Sequence, residues 1–327
     1  MAQEHVAVEG GWRPSDRVLV TGGSGRLGPY IVRELRQTPV TLQVWDGPGA
    51  TIPSTPGAVP VDLADPAAVL RAWQLAQPTV VIHAAALATV DACLKDPARA
   101  EAINVTATRQ LAQLCRDQRA HLATISTDLV FDGSQPPYGP NAPPQPLSAY
   151  GRSKAAGERA ALDTLPCAVI RLALLYGPRL GTRPSFFDTQ VAALRNGGPR
   201  MGLFTDEWRT PVDYATAARA IVDLAQLRAS GIWHVGGPER LSRWEMGLRL
   251  ADYLGVDRPP FDPVSRLSIP GPEPRPSDLA FDSSAWRSRC PHSPWPTLAE
   301  VLARDLPRLG DLPGLGDLPR RGDLPRP

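Results

Sequence analysis

Tyr150-Gly-Arg-Ser-Lys154 sets a phenol and an ammonium four residues apart, a spacing that puts both on one face of a helix. A cation beside a phenol draws its pKa down toward working pH, so the tyrosine can exchange a proton with a carbonyl or alcohol oxygen. Rarity makes this lysine informative: of 35 basic residues only Lys95 and Lys154 are lysine, and arginine fills every other position. An ammonium bonds sugar hydroxyls as a compact charge where a guanidinium is bulkier and planar. Lys95 falls on a predicted surface loop. Upstream, Ser126-Thr127-Asp128-Leu129-Val130-Phe131-Asp132-Gly133 closes a predicted strand with two hydroxyls. A hydroxyl there can hold the oxygen that Tyr150 protonates.

A second constellation is Thr21-Gly-Gly-Ser-Gly-Arg-Leu-Gly28, directly after the first predicted strand and opening the first helix. Gly22 suits the tight turn, Gly25 lets backbone N–H groups approach a pyrophosphate, and Gly28 permits close packing of helix on sheet. In that context the loop predicts dinucleotide binding. The second strand ends in Asp46, where a carboxylate would accept bonds from both adenosine ribose hydroxyls and repel a 2′-phosphate, which favours NAD. Arg26 within the loop could instead meet such a phosphate, so NAD and NADP both stay open.

These residues need a scaffold, and the periodicity supplies one. Short β-branched apolar runs alternate with helical patterns: strands at 17–21, 40–45, 80–83, 121–126 and 167–172, helices at 27–37, 66–77, 97–119 and 150–163. That order predicts an α/β protein with a doubly wound parallel (Rossmann) sheet and ligand at the carboxyl ends of its strands. Residues 14–176 form the dinucleotide-binding domain, and 210–236 return to it with a helix and a short strand. A smaller, discontinuous substrate domain is expected over 177–300. The remaining 301–327, with GDLP repeated from Gly310, Gly316 and Gly322, reads as a disordered tail.

Composition sets the outer limits. A chain of 327 residues with net charge +2 and 43% hydrophobic content buries about three quarters of its unfolded surface, which excludes a disulfide mini-scaffold, a fibre or a fully disordered chain. With 35 basic against 33 acidic residues, no whole-chain field calls for nucleic acid or an anionic membrane. Cys93, Cys115, Cys167 and Cys290 lie far apart without histidines at ligand spacing, so neither a metal site nor a disulfide framework is expected. No apolar run reaches membrane-spanning length, and a cytoplasmic protein is expected, with a homodimer as the common default.

With TGGSGRLG, STDLVFDG and YGRSK in that order, the chain resembles the extended short-chain dehydrogenase/reductase superfamily over about 270 residues. Finer spelling narrows the branch. HAAALATVDACLKDPARAEAINV, RLALLYG, RTPVDYA and RPSDLAFD look like dTDP-4-dehydrorhamnose reductases, and at least as much like the related beta (regulatory) subunit of methionine adenosyltransferase. The resemblance implies Thr127, Tyr150 and Lys154 as the catalytic set, with Gly22, Gly25, Leu27 and Gly28 on the pyrophosphate. It puts Asp62 and Leu63 at the adenine and Ala84, Ala85 and Ala86 along the nicotinamide-side ribose. Asp128, Leu129, Val130 and Leu174 fall on the substrate side, and Asn104 matches an asparagine read as structural or proton-relay. Arg209 and Arg275 stand in loops where an arginine fork could clamp a nucleotide-sugar diphosphate. Leu129 and Leu174 replace aromatics of the branch, and Leu94 an acidic residue, so ring stacking on the deoxysugar is lost.

Three activities follow as expectations. The leading one is NAD(P)H-dependent reduction of a nucleotide-linked 4-keto-6-deoxysugar, with Tyr150 donating the proton, Lys154 tuning it and Thr127 orienting the oxygen. A nucleotide-sugar epimerase would use the same residues with a retained cofactor. A regulatory subunit would keep the fold and motifs without turnover. A 4,6-dehydratase is disfavoured, because that branch needs an acid-base carboxylate where this chain has Leu129.

Overall fold

In the computed structural model, which describes residues 11–50 and 53–307, one seven-stranded sheet organises the chain. From edge to edge its strands run Gly231–Val235, Ala168–Leu172, His121–Thr127, Val80–His83, Arg17–Thr21, Thr41–Asp46 and Val59–Pro60, all parallel. Successive side chains on a strand point to opposite faces, and helices cover both faces here, which is why the strands read as unbroken apolar runs. Val18 and Val20 enter one core with Tyr30, Ile31 and the alanine-rich helix Tyr214–Gln226; Leu19 between them enters the other, with Val69, Trp73 and Leu111. Strand order reverses between Arg17–Thr21 and Val80–His83, so a crevice opens at their carboxyl ends.

The doubly wound α/β architecture is therefore as expected, with residues 231–235 returning to the sheet beside Ala168–Leu172. Most elements shift by only one or two residues from the periodicity reading. Two differ in kind. The expected single helix over 97–119 is three pieces, Pro97–Glu101, a π-helical turn Ala102–Thr106, and Ala107–Gln118. The expected disorder from residue 301 is corrected for 301–305: Leu298–Asp305 is a helix, capped by a reciprocal Thr297 and Glu300 box. Val301 and Leu302 enter a further core with Tyr176, Phe187, Leu203 and Phe261, so that apolar stripe outweighs the low apolar content of the residues after it. The GDLP repeats lie outside the described residues.

Candidate active site

The crevice is a cavity of about 880 Å³ running from the glycine loop to the loops around Arg209 and Arg275. Gly22 has φ +79°, and a Cβ on it would stand 2.7 Å from the Ala85 nitrogen, so only glycine lets the loop lie against Ala84–Ala85. A Cβ on Gly28 would meet the Gly22 and Gly23 carbonyl oxygens at 2.4 Å. No side chain caps the helix Gly28–Leu35, so the start of the helix beside the glycine loop is left for an anion such as a pyrophosphate. Gly22, Gly25, Arg26, Leu27 and Gly28 all line the cavity, as do Asp62, Leu63 and Ala84 to Ala86. Beneath them His83 Nδ1 bonds the Thr21 hydroxyl at 2.8 Å and Nε2 the Thr108 hydroxyl at 3.1 Å; burial holds this imidazole neutral, its pKa pushed down to about 3.

Helix Ala149–Leu162 begins where the Ser148 hydroxyl accepts from the Gly151 N–H at 3.1 Å, and it delivers Tyr150 and Lys154 to the same cavity. Thr127 ends its strand with its hydroxyl donating to Asp128 Oδ1 at 3.1 Å and accepting from the Leu129 N–H at 3.2 Å, close enough to the Tyr150 phenol to act on its pKa. One sequence expectation is corrected here. The phenol is held above its ordinary pKa, first by burial and then by the Asp128 and Cys93 charges, with only the nearby Thr127 hydroxyl pulling it down. Lys154 is itself lowered to about 8, by burial opposed by Glu158 and Cys93. A phenol so placed keeps its proton at neutral pH, the form in which it can donate.

Behind this pair the chain buries charge. Glu158 takes the Ser126 hydroxyl and the Arg171 guanidinium, and Arg171 also reaches His234 Nε2 at 3.3 Å and lies over the Phe131 ring. Asn104, in the π-helical turn, accepts from the Leu87 N–H at 2.8 Å and donates to the Leu87 carbonyl and, at 2.8 Å, to the Ser153 hydroxyl. It thus ties the cavity-lining loop after Val80–His83 to the helix of Tyr150.

At the opposite end Arg209, only 5% exposed, lies 3.5 Å from Asp128 and 3.9 Å from Glu207. Glu207 in turn meets Arg243 at 3.2 Å and Arg275 at 3.9 Å. Three guanidinium groups facing two carboxylates leave an excess of positive charge in the wall. Burial raises the Asp128 pKa, against the nearby Arg209 charge, and Asp128 Oδ2 has no hydrogen-bond partner.

Most residues singled out from the sequence meet in this one space, including Leu129 and Leu174. Asp46 does not: its carboxylate accepts from the Ser54 N–H at 2.8 Å and hydroxyl at 2.6 Å, because the chain after the strand folds back over it. Val130 is corrected too, being fully buried among Phe131, Tyr138 and Leu279. Arg26 lines the cavity but donates to the Pro184 carbonyl at 2.8 Å. Glu158, Glu207, Arg243 and Glu273 were not singled out. Of these Glu158 was findable, since it continues the four-residue spacing of Tyr150 and Lys154 along one helix face.

Known proteins extend the likeness. The chain is 32% identical over 279 residues to a dTDP-4-keto-6-deoxy-D-glucose reductase from Streptomyces niveus, covering 84% of this chain and 91% of that one. It is equally 32% identical over 278 residues to the bovine (Bos taurus) methionine adenosyltransferase 2 subunit beta, covering 83% and 81%. A dTDP-4-dehydrorhamnose reductase from Bacillus anthracis, solved in complex with NADP, superposes with TM-score 0.78 at 25% identity, covering 89% of this chain and 98% of that one. A family model described as the RmlD substrate binding domain matches residues 16–305. The chain belongs to that family, the dTDP-4-dehydrorhamnose reductase-like branch of the extended short-chain dehydrogenases/reductases.

Proposed function

We propose that this protein reduces the 4-keto group of a nucleotide-linked 4-keto-6-deoxysugar. The observation that carries the reading is the convergence of Thr127, Tyr150 and Lys154 with the glycine loop at one end of a single cavity and the arginine cluster at the other. When bound, a nicotinamide dinucleotide supplies the hydride. Gly22, Gly25, Leu27 and Gly28 hold its pyrophosphate, Asp62 and Leu63 its adenine, and Ala84 to Ala86 with Lys154 the second ribose. Tyr150 gives its proton to the carbonyl oxygen, and the Thr127 hydroxyl orients that oxygen. Arg209, Arg243 and Arg275 take the substrate diphosphate, where paired guanidinium donors suit two phosphates. NAD and NADP both fit this reading, since Asp46 is engaged by Ser54 and Arg26 by the Pro184 carbonyl. The smaller substrate domain over 177–300 carries the arginine wall.

The test mixes pure protein with NADH or NADPH and dTDP-4-keto-6-deoxyglucose or its 3,5-epimer and follows nicotinamide absorbance. Oxidation that disappears in Tyr150→Phe supports the reductase. Failure to oxidise either cofactor with any keto-sugar rejects it.

A second reading, a regulatory subunit without turnover, is favoured by the equal 32% identity to the bovine beta subunit. Titration against a methionine adenosyltransferase catalytic subunit decides it. No complex at micromolar concentration excludes this reading.

A further inference from the structure

All six residues of the segment Gly271-Pro-Glu-Pro-Arg-Pro276 line the cavity. Proline at every second position fixes φ, so the segment is a stiff strap rather than a loose loop. Its downstream end is moored: the Ser277 carbonyl accepts from the Trp208 N–H at 2.7 Å, and the Ser277 hydroxyl donates to the Gly133 carbonyl at 3.1 Å. Pro272, Pro274 and Arg275 are exposed on it.

Glu273 turns the other way. Its side chain is 8% exposed, and Oε1 accepts from the Ala149 N–H at 2.7 Å and from Arg152 Nη2 at 2.7 Å. Ala149 is the first residue of the helix that carries Tyr150 and Lys154. Ser148 satisfies the Gly151 N–H, so Glu273 supplies a cap from 124 residues away that the local sequence does not provide. The site suits an anion twice over, by the helix dipole and by the Arg152 charge. Glu273 Oε2 is buried without a hydrogen-bond partner, so the carboxylate is held in place by one oxygen. Two residues on, Arg275 reaches back to Glu207 at 3.9 Å and over the Phe204 ring at 5.0 Å, in the arginine cluster.

We propose that Glu273 is a positioning residue, a latch through which the strap seats the first turn of the Tyr150 helix when Arg275 engages the substrate diphosphate. This rests on the reading of Arg275 as a diphosphate contact and Tyr150 as proton donor. One stiff segment then makes both contacts: anion occupancy at Arg275 favours the closed strap, and the closed strap fixes Tyr150, one residue from the latch.

The experiment compares wild type, Glu273→Ala and Glu273→Gln by amide hydrogen exchange, with and without dTDP, and by steady-state reduction of the keto-sugar. In wild type, dTDP protects 271–277 and the amides of Ala149, Tyr150 and Gly151 together. In Glu273→Ala, exchange at Ala149 to Gly151 rises at least tenfold, dTDP no longer protects them, and kcat falls at least tenfold while KM changes less than threefold. Glu273→Gln, which keeps an acceptor for the Ala149 N–H, recovers part of both. Unchanged exchange at Ala149 to Gly151 in Glu273→Ala, or protection by dTDP that persists there, overturns the latch. If no keto-sugar is reduced by wild type, the parent reading fails, while the exchange arm still decides whether strap and helix are coupled.

Discussion

Glu158 and Arg171 meet side by side beneath the cavity, with Nη2 2.7 Å from Oε2 and Nε 3.0 Å from Oε1. Both are almost wholly buried, so the Glu158→Gln variant leaves a guanidinium without its counter-charge in a desolvated place. Loss of about 3–5 kcal/mol of stability is expected, read as a lower urea midpoint at unchanged slope. A midpoint within error of wild type would refute this account of the pair.

Rate and stability should respond to alkali in opposite directions because of Lys154. Its ammonium titrates near pH 8 in the fold, against about 10.4 when unfolded. Between those values the unfolded chain holds more protons, so the Lys154 contribution makes stability rise with pH across that window. The charged form is the one that orients ribose, so turnover should fall above about pH 8. Lys154→Met should remove both slopes. A wild-type rate flat to pH 10 contradicts the assignment.

Acid should act through the buried histidines. His83 is held at about 3 and His234 at about 4, both by burial, while an unfolded histidine takes up its proton near about 6.5. The unfolded state binds more protons below that pH, so stability is lost as pH falls from about 6.5 toward 4. Thermal unfolding followed at pH 7 and pH 5 checks the direction, and a His83→Gln, His234→Gln double variant should show a shallower decline. An equally steep decline in that variant assigns the loss to other groups.

The arginine cluster divides into two kinds of residue. Arg209 is buried beside Asp128, which pairs with no other arginine among the described residues, so Arg209→Ala strands that buried carboxylate and should lower the melting temperature along with dTDP affinity. Arg243 and Arg275 are 28% and 44% exposed, and their alanine variants should weaken dTDP about tenfold at unchanged melting temperature. Isothermal titration at two salt concentrations separates the cases. dTDP affinity unaffected in all three removes the cluster from the substrate site.

The sheet was legible because its strands are buried on both faces, and an unbroken apolar run such as Val18 to Val20 leaves few other readings. The glycine loop and the Tyr150–Lys154 pair were legible for a different reason, since each packs its chemistry into a few consecutive residues. What escaped is long-range. Asp46 looks free until Ser54 is seen to close on it, and Glu273 looks like one surface acid among prolines until the fold sets it against Ala149. The sign of the Tyr150 shift escaped as well, because it depends on how much water and which carboxylate surround the phenol, and not on the spacing to Lys154.

The outermost strand Gly231–Val235 arrives late in synthesis, after the chain has made its excursion through the helix Phe186–Asn196 and Arg209. Until then Ala168–Leu172, every residue of it buried in the finished protein, stands as an open edge on the nascent sheet. Translation therefore exposes a sticky β-edge for the time needed to make some sixty residues, several seconds at ribosomal speed. Chaperone demand during production should concentrate on that interval, and truncations ending just before Gly231 should aggregate faster than those ending just after Val235.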